Sequence, residues 1–164
     1  MHKCMVNSKN EVIKMFLIKK LCLEIEGVSV EIPEEIGAVF NSDWTDENSI
    51  VFNHSGGGYT FAYEISYNNS TDTRTSLVES IKEISEVSFS VEPFGLNGLE
   101  GHHSTYAGGS EQYYEARFLA AQTESGSTEL TFVLWTKNND IEEIKASPEF
   151  KKLLHGIRKK DIIE

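Results

Sequence analysis

Residues 111–137 read "EQYYEARFLAAQTESGSTELTFVLWTK". In the first half, Tyr114, Ala116, Phe118 and Ala120 fall on one side, and Tyr113, Glu115, Arg117 and Leu119 on the other. Successive side chains leave a strand on opposite sides, so this period of two predicts a strand with two unlike faces. In the second half, Leu130, Phe132 and Leu134 make one face, Val133 and Trp135 the other. Apolar character on both faces predicts a central place in the sheet. Between the halves, "TESGST" reads as a hairpin turn, with Gly126 tolerant of positive φ. Two long strands joined this tightly are antiparallel neighbours, and the rest of the chain is read outward from them.

Toward the amino terminus, residues 49–68 read "SIVFNHSGGGYTFAYEISYN". Ile50–Phe52 predicts a short strand, 53–58 a turn and 59–67 a long strand, with Tyr59, Phe61, Tyr63, Ile65 and Tyr67 on one face. The acidic stretch 34–49, holding Trp44, reads as a loop or short helical turn. Before it, Leu21, Leu23 and Ile25 alternate, and after Gly27 the phase shifts to Val28, Val30 and Ile32, which predicts a tight hairpin or a bulge closed by Pro33. A helix is predicted over 75–84, with its apolar stripe at Leu77, Val78, Ile81 and Ile84, and a capping box of Ser76 with Glu79. Glu86–Val91 alternates as a strand ended by Pro93 and Gly95.

Toward the carboxyl terminus, Asp140 caps a short turn with Ile141 and Ile144. Ser147 then caps a second helix with Pro148 at its first position, Phe150, Leu153, Leu154 and Ile157 as its core stripe, and Lys159 and Lys160 at its end. No βαβ rhythm is present, so the fold class is α+β: an antiparallel sheet of about six to seven strands packed against two helices. Residues 1–20 read as a flexible tail, 21–158 as one domain and 159–164 as a second tail.

The element order, the opening "VSVEIPEEI" with Ile32–Pro33, and the closing "SPEFKKLLHGIR" with Phe150 and Leu154 resemble the PsbP-like fold. That family includes an extrinsic photosystem subunit, a Ran-binding nuclear-import factor and small bacterial proteins. The resemblance implies a PsbP-like sandwich and a non-enzymatic adaptor, assembly or chaperone-like role. It carries over no catalytic residue.

Charge narrows the partner. The net charge is −11, but residues 1–22 carry +4 and 151–164 carry +3, leaving −18 on the body. Such a body repels nucleic acid and anionic membrane and suits a basic protein partner. Cys4 and Cys22 form no disulfide framework, no stretch approaches the length of a membrane span, and Lys19 and Lys20 interrupt the only leader-like run. A cytoplasmic location is expected.

The glycine-rich stretch 98–109, "GLEGHHSTYAGG", holds the metal candidates Glu100, His102 and His103, with His54 as a further ligand. In a loop these converge; in a strand with a bulge at Gly101 and a turn at Gly108–Gly109, adjacent histidines point apart and chelate poorly. An acid–base or metal-dependent enzyme using Glu100, His102, His103 and His54 is thus one alternative, and a small-ligand carrier another. "NHSGGGYT" leads into a strand and lacks the lysine of a phosphate loop; Asp43, Asp46 and Glu47 lack calcium-loop spacing; and no nucleophile elbow is present. Glu115 reads as exposed or paired with Arg117. No cofactor and no catalytic residue is assigned. The leading expectation is a non-catalytic protein-interaction module, able to form a homodimer, with partner contacts at Trp44, Tyr113, Trp135, His102 and His103, because aromatic rings rimmed by acids suit protein contacts.

Overall fold

The computed structural model describes residues 20–25, 28–33, 39–40, 49–56, 58–70, 72–123 and 126–159. Its ten strands are β1 (Lys20–Ile25), β2 (Val28–Pro33), β3 (Val39–Phe40), β4 (Ser49–Gly56), β5 (Tyr59–Asn69), β6 (Glu92–Leu96), β7 (Leu99–Gly108), β8 (Glu111–Thr123), β9 (Gly126–Thr136) and β10 (Ile157–Lys159). The helices are α1 (Thr73–Lys82), α2 (Ile141–Ala146) and α3 (Pro148–His155).

The quoted hairpin is the middle of the molecule. β8 and β9 pair antiparallel, with Tyr114 opposite Leu134, Ala116 opposite Phe132 and Phe118 opposite Leu130. These six side chains are fully or almost fully buried. The large sheet runs β3-β4-β5-β9-β8-β7-β6, so β9 is central, as its two apolar faces require. The chain builds one half as β3-β4-β5, crosses one face through α1, and returns from the far edge as β6-β7-β8-β9. All pairings are antiparallel, and the α+β class holds.

The opposite face is covered by a three-stranded sheet, β1-β2-β10, together with α2 and α3. Val28, Val30 and Ile32 of β2, Ile144 of α2, and Phe150 and Leu153 of α3 pack against Phe52, Tyr63, Phe118 and Phe132. The α1 side holds a smaller cluster, in which Leu77 and Ile81 meet Tyr106, with Phe89, Val91 and Tyr113 against them. Full burial of Leu77 and Ile81 contributes about 1.5–3 kcal/mol each.

Several local expectations are corrected. The stretch 34–49 contains the two-residue strand β3, and residues 53–56 belong to β4 rather than to a turn. α1 starts at Thr73 because Asp72, not Ser76, is its cap: the Asp72 carboxylate accepts from the Arg74 and Thr75 amides. Ile84 lies past the helix and is exposed. Residues 86–91 form no strand; the strand is β6, whose edge position tolerates Pro93. Gly101 marks no bulge. It lies where a Cβ would meet the Arg117 carbonyl oxygen at 1.8 Å, so it permits a close approach of β7 to β8, and the bulge falls in β8 between Leu119 and Ala121. The β7–β8 turn is one residue later than expected, at Gly109–Ser110. Ile157 is not in the last helix: α3 stops at His155, and Ile157 and Lys159 belong to β10, which pairs with β2.

Candidate functional site

The face beneath α1 gathers the polar side chains. Cross-strand register places Tyr106, Tyr113, Trp135 and Ala62 in one row, Ser104, Glu115, Val133 and Glu64 in the next, and His102, Arg117, Thr131 and Ser66 in a third. Glu100, Leu119 and Glu129 form the row beyond.

In the middle of this face lies a buried charged trio. Arg117 Nε donates to Glu115 Oε2 at 2.7 Å and Nη1 to Glu129 Oε1 at 3.0 Å; the side chains of Arg117, Glu115 and Glu129 are 13%, 1% and 0% exposed. Two carboxylates face one guanidinium, so hydroxyls supply further donors. Tyr106 donates to Glu115 at 2.7 Å, Ser80 reaches Glu115 at 3.5 Å, and Ser76 donates to Glu129. Burial alone would lower the Arg117 guanidinium, but the charges and hydrogen bonds of Glu115 and Glu129 overcome it and hold the group above its ordinary range. Burial, reinforced by Glu115, pushes the Tyr106 phenol far above its ordinary range, so it stays protonated and donates to Glu115. The pairing of Glu115 with Arg117 was legible in the sequence; its exposure was not, since Glu115 is buried. Glu129 was not singled out at all. Its signal is that it is the one charged residue of the central strand β9.

At the α1 amino-terminal end a groove of about 540 Å³ opens between the helix and the sheet edge, lined by Asp72, Thr73, Pro93, Glu100, His102 and Leu119, with Gly95 and Gly101 bare of side chains. The Thr73 hydroxyl and His102 Nδ1 are 2.9 Å apart. The Thr75 hydroxyl and amide, together with the Arg74 amide, hold the Asp72 carboxyl below its ordinary range.

At the other end of α1, Tyr106 stacks on Tyr113 with ring centroids 5.0 Å apart, and Trp135 lies directly across from Tyr113. Tyr113 and Trp135 are half-buried. Burial, with Glu111 close by, raises the Tyr113 phenol.

The expected site residues therefore divide. Tyr113 and Trp135 are brought together. Glu100 and His102 share the groove. The expected histidine loop is a strand, which sends His103 to the opposite face. There His103 Nδ1 lies 2.8 Å from the Tyr114 hydroxyl, and Phe94 stacks on the ring at 4.1 Å. Lys145 stands nearby, 5.5 Å above the Tyr114 ring. His54 is on β4, paired opposite Phe61, with the two rings tilted against each other at 4.8 Å. It is 5% exposed, and neither ring nitrogen has a hydrogen-bond partner among the described residues. Trp44 lies outside the described residues. His102 and His103, pointing to opposite sides of one strand, cannot share a metal's inner coordination sphere, and among the described residues no three His, Cys, Asp or Glu side chains come together to hold a metal. Among the described residues no helix is long and apolar enough to cross a membrane.

No family model matches the chain, and no curated protein matches it. Among solved structures, a Pseudomonas aeruginosa protein of unknown function, PA94, named as a candidate regulator, is similar with a TM-score of 0.52 and 13% identity, over 87% of this chain and 98% of its own. A protein from Bacteroides thetaiotaomicron VPI-5482 gives a TM-score of 0.48 and 12% identity over 84% of this chain. This chain spans about half of that one, 47%. The likeness to PA94 shows the fold alone.

Proposed function

We propose that this chain is a non-catalytic protein-interaction module with an assembly or chaperone-like role, related to the PsbP-like proteins, and that it meets its partner through the sheet face centred on Tyr113 and Trp135. One observation carries this reading: the register sets Tyr106, Tyr113 and Trp135 side by side across three strands. Aromatic rings provide large contact area at low entropic cost, which is why they dominate interface energetics. α1 packs on β7 and β8, at the Tyr106 end of the row. The acidic body suits a basic partner, a cytoplasmic setting and no contact with nucleic acid or membrane. A homodimer through the same face is the self-association form of this reading.

The test compares wild type with Tyr113→Ser and Trp135→Ser. Affinity capture from native lysate, sedimentation velocity and thermal melts are run together. The reading expects capture or self-association to drop at least about tenfold, because each ring is worth about 2 kcal/mol at an interface centre. Unchanged capture and unchanged oligomeric state in both variants, with normal melts, would sink it.

A further inference from the structure

We propose that the groove at the amino-terminal end of α1 is a recognition site for an arginine side chain of an extended, basic partner segment. This inference rests on the interaction-module reading and names the chemistry of a second contact, separate from the aromatic row. Asp72 and Glu100 are the carboxylates that line the groove, and among its described lining residues none is lysine or arginine. Asp72 is occupied, since both its oxygens accept from the first turn of α1. Glu100 is exposed and has no hydrogen-bond or ion-pair partner among the described residues, which leaves it free to accept. The nearby Arg117 does not cancel this field, because Glu115 and Glu129 outnumber it.

The shape selects the cation. Gly95 sits directly opposite Glu100 across β6 and β7, and it leaves a notch in the edge of the sheet beside the carboxylate. A long hydrocarbon stem fits such a notch, with Leu119 and Pro93 as apolar walls. A guanidinium supplies a planar fork for a carboxylate and a flat face for those walls, which an ammonium does not. A metal ion is poorly served, because the described lining residues offer one free carboxylate and one imidazole. β6 is the sheet edge, but Pro93 has no amide hydrogen to offer, so recognition here runs through side chains rather than through an added strand.

The test uses the full chain and acetyl-Ala-Arg-Ala-amide, followed by amide chemical shifts at low salt. Expected are saturable shifts clustered at Thr73, Gly95 and Gly101, with none from the citrulline counterpart, which has the shape but not the charge. Glu100→Gln should weaken binding about three- to tenfold. Glu79→Gln, the same charge change on the exposed side of α1, should leave it within about twofold. Absence of saturable shifts, equal binding of the citrulline peptide, or equal loss in Glu79→Gln would overturn the proposal. So would displacement of the peptide by an equal concentration of spermidine, which would make the groove a general cation trap. Unchanged partner capture in Trp135→Ser with intact arginine binding would defeat the surface reading alone; lost capture in Trp135→Ser with no arginine binding in wild type would defeat this one alone.

Discussion

Replacing Arg117 by methionine tests the physical centre of the α1 face. The methionine keeps an apolar stem of similar reach and removes the only cation that touches Glu115 and Glu129 among the described residues. Glu115 then retains one good donor, Tyr106 at 2.7 Å, and the distant Ser80; Glu129 retains Ser76. Removing one partner of a buried pair costs about 3–5 kcal/mol, because the other charge stays buried and uncompensated. Here two carboxylates are left. Two like charges left buried on the same guanidinium's site also repel, so the upper part of that range applies. Against a total stability of about 5–15 kcal/mol, the loss is large. It should lower the melting temperature by about 8–20 °C. Urea denaturation followed by circular dichroism measures it. The decisive comparison is the triple change Arg117→Met, Glu115→Leu and Glu129→Leu, which removes every charge of the trio and should recover most of the loss. A single variant within about 1 kcal/mol of wild type, or a triple variant no better than the single, would refute the reasoning.

Three further outcomes are expected. His54→Phe should stabilise by about 1 kcal/mol, because two buried nitrogens with no partner among the described residues are replaced by ring carbons against Phe61; a lower melting temperature would contradict this. Gly101→Ala should cost about 1–3 kcal/mol or more and disturb β7–β8 amide shifts, since the new Cβ meets backbone at 1.8, 2.8 and 2.9 Å rather than a movable side chain; neutral behaviour would deny the close approach. Burial, aided by Lys145 and His102 and opposed by Glu92, holds the His103 imidazole below its ordinary 6.5. A depressed histidine contributes its full stability above that value and loses it as the pH falls further, so wild-type stability should decline from pH 7 to 5 more steeply than that of His103→Gln; parallel curves would rule it out.

The strands β5, β8 and β9 and the carboxyl-terminal caps were legible because their causes are local. Alternation in β5, β8 and β9 needs only neighbouring residues, and Asp140, Ser147 and Pro148 act within one turn of the helices they start. Asn97–Gly98 carried an equally local signal that the reading of residues 98–109 passed over. Leu96 pairs with Leu99, so these two residues form the whole β6–β7 connection, with φ of 48° and 87° as a primed hairpin turn demands. The Asn97 amide also donates to the Ile157 carbonyl oxygen, which ties that turn to β10. The buried trio was hidden for a different reason. Its partners lie far apart in the chain, Ser76 and Glu129 by 53 residues, and a polar strand face has the same alternation whether water or a helix covers it. The candidate site shows the same limit: the spacing of His102 and His103 is compatible with convergence in a loop, and only the strand decides that they diverge.

α1 is the common support of both proposed contacts. Its Thr73 stands beside His102 in the groove, its Ser76 and Ser80 seat on the carboxylates of the trio, and its Leu77 and Ile81 press on Tyr106, which stacks on Tyr113. Five residues of one helix thus bind polar atoms or rings at successive positions along the sheet, and the apolar burial of Leu77 and Ile81 anchors the aromatic end. Nearer the amino terminus, Ser76 ties the helix to Glu129 by a charge-assisted hydroxyl bond, which depends on the trio staying ionised and paired. Loosening that trio should therefore weaken the arginine groove before it disturbs the Tyr113–Trp135 pair. In Arg117→Met, arginine-peptide affinity should fall further than partner capture when both are measured on the folded fraction. Equal losses at the two ends would mean that α1 moves as a rigid bar, and that the two contacts are one surface rather than two.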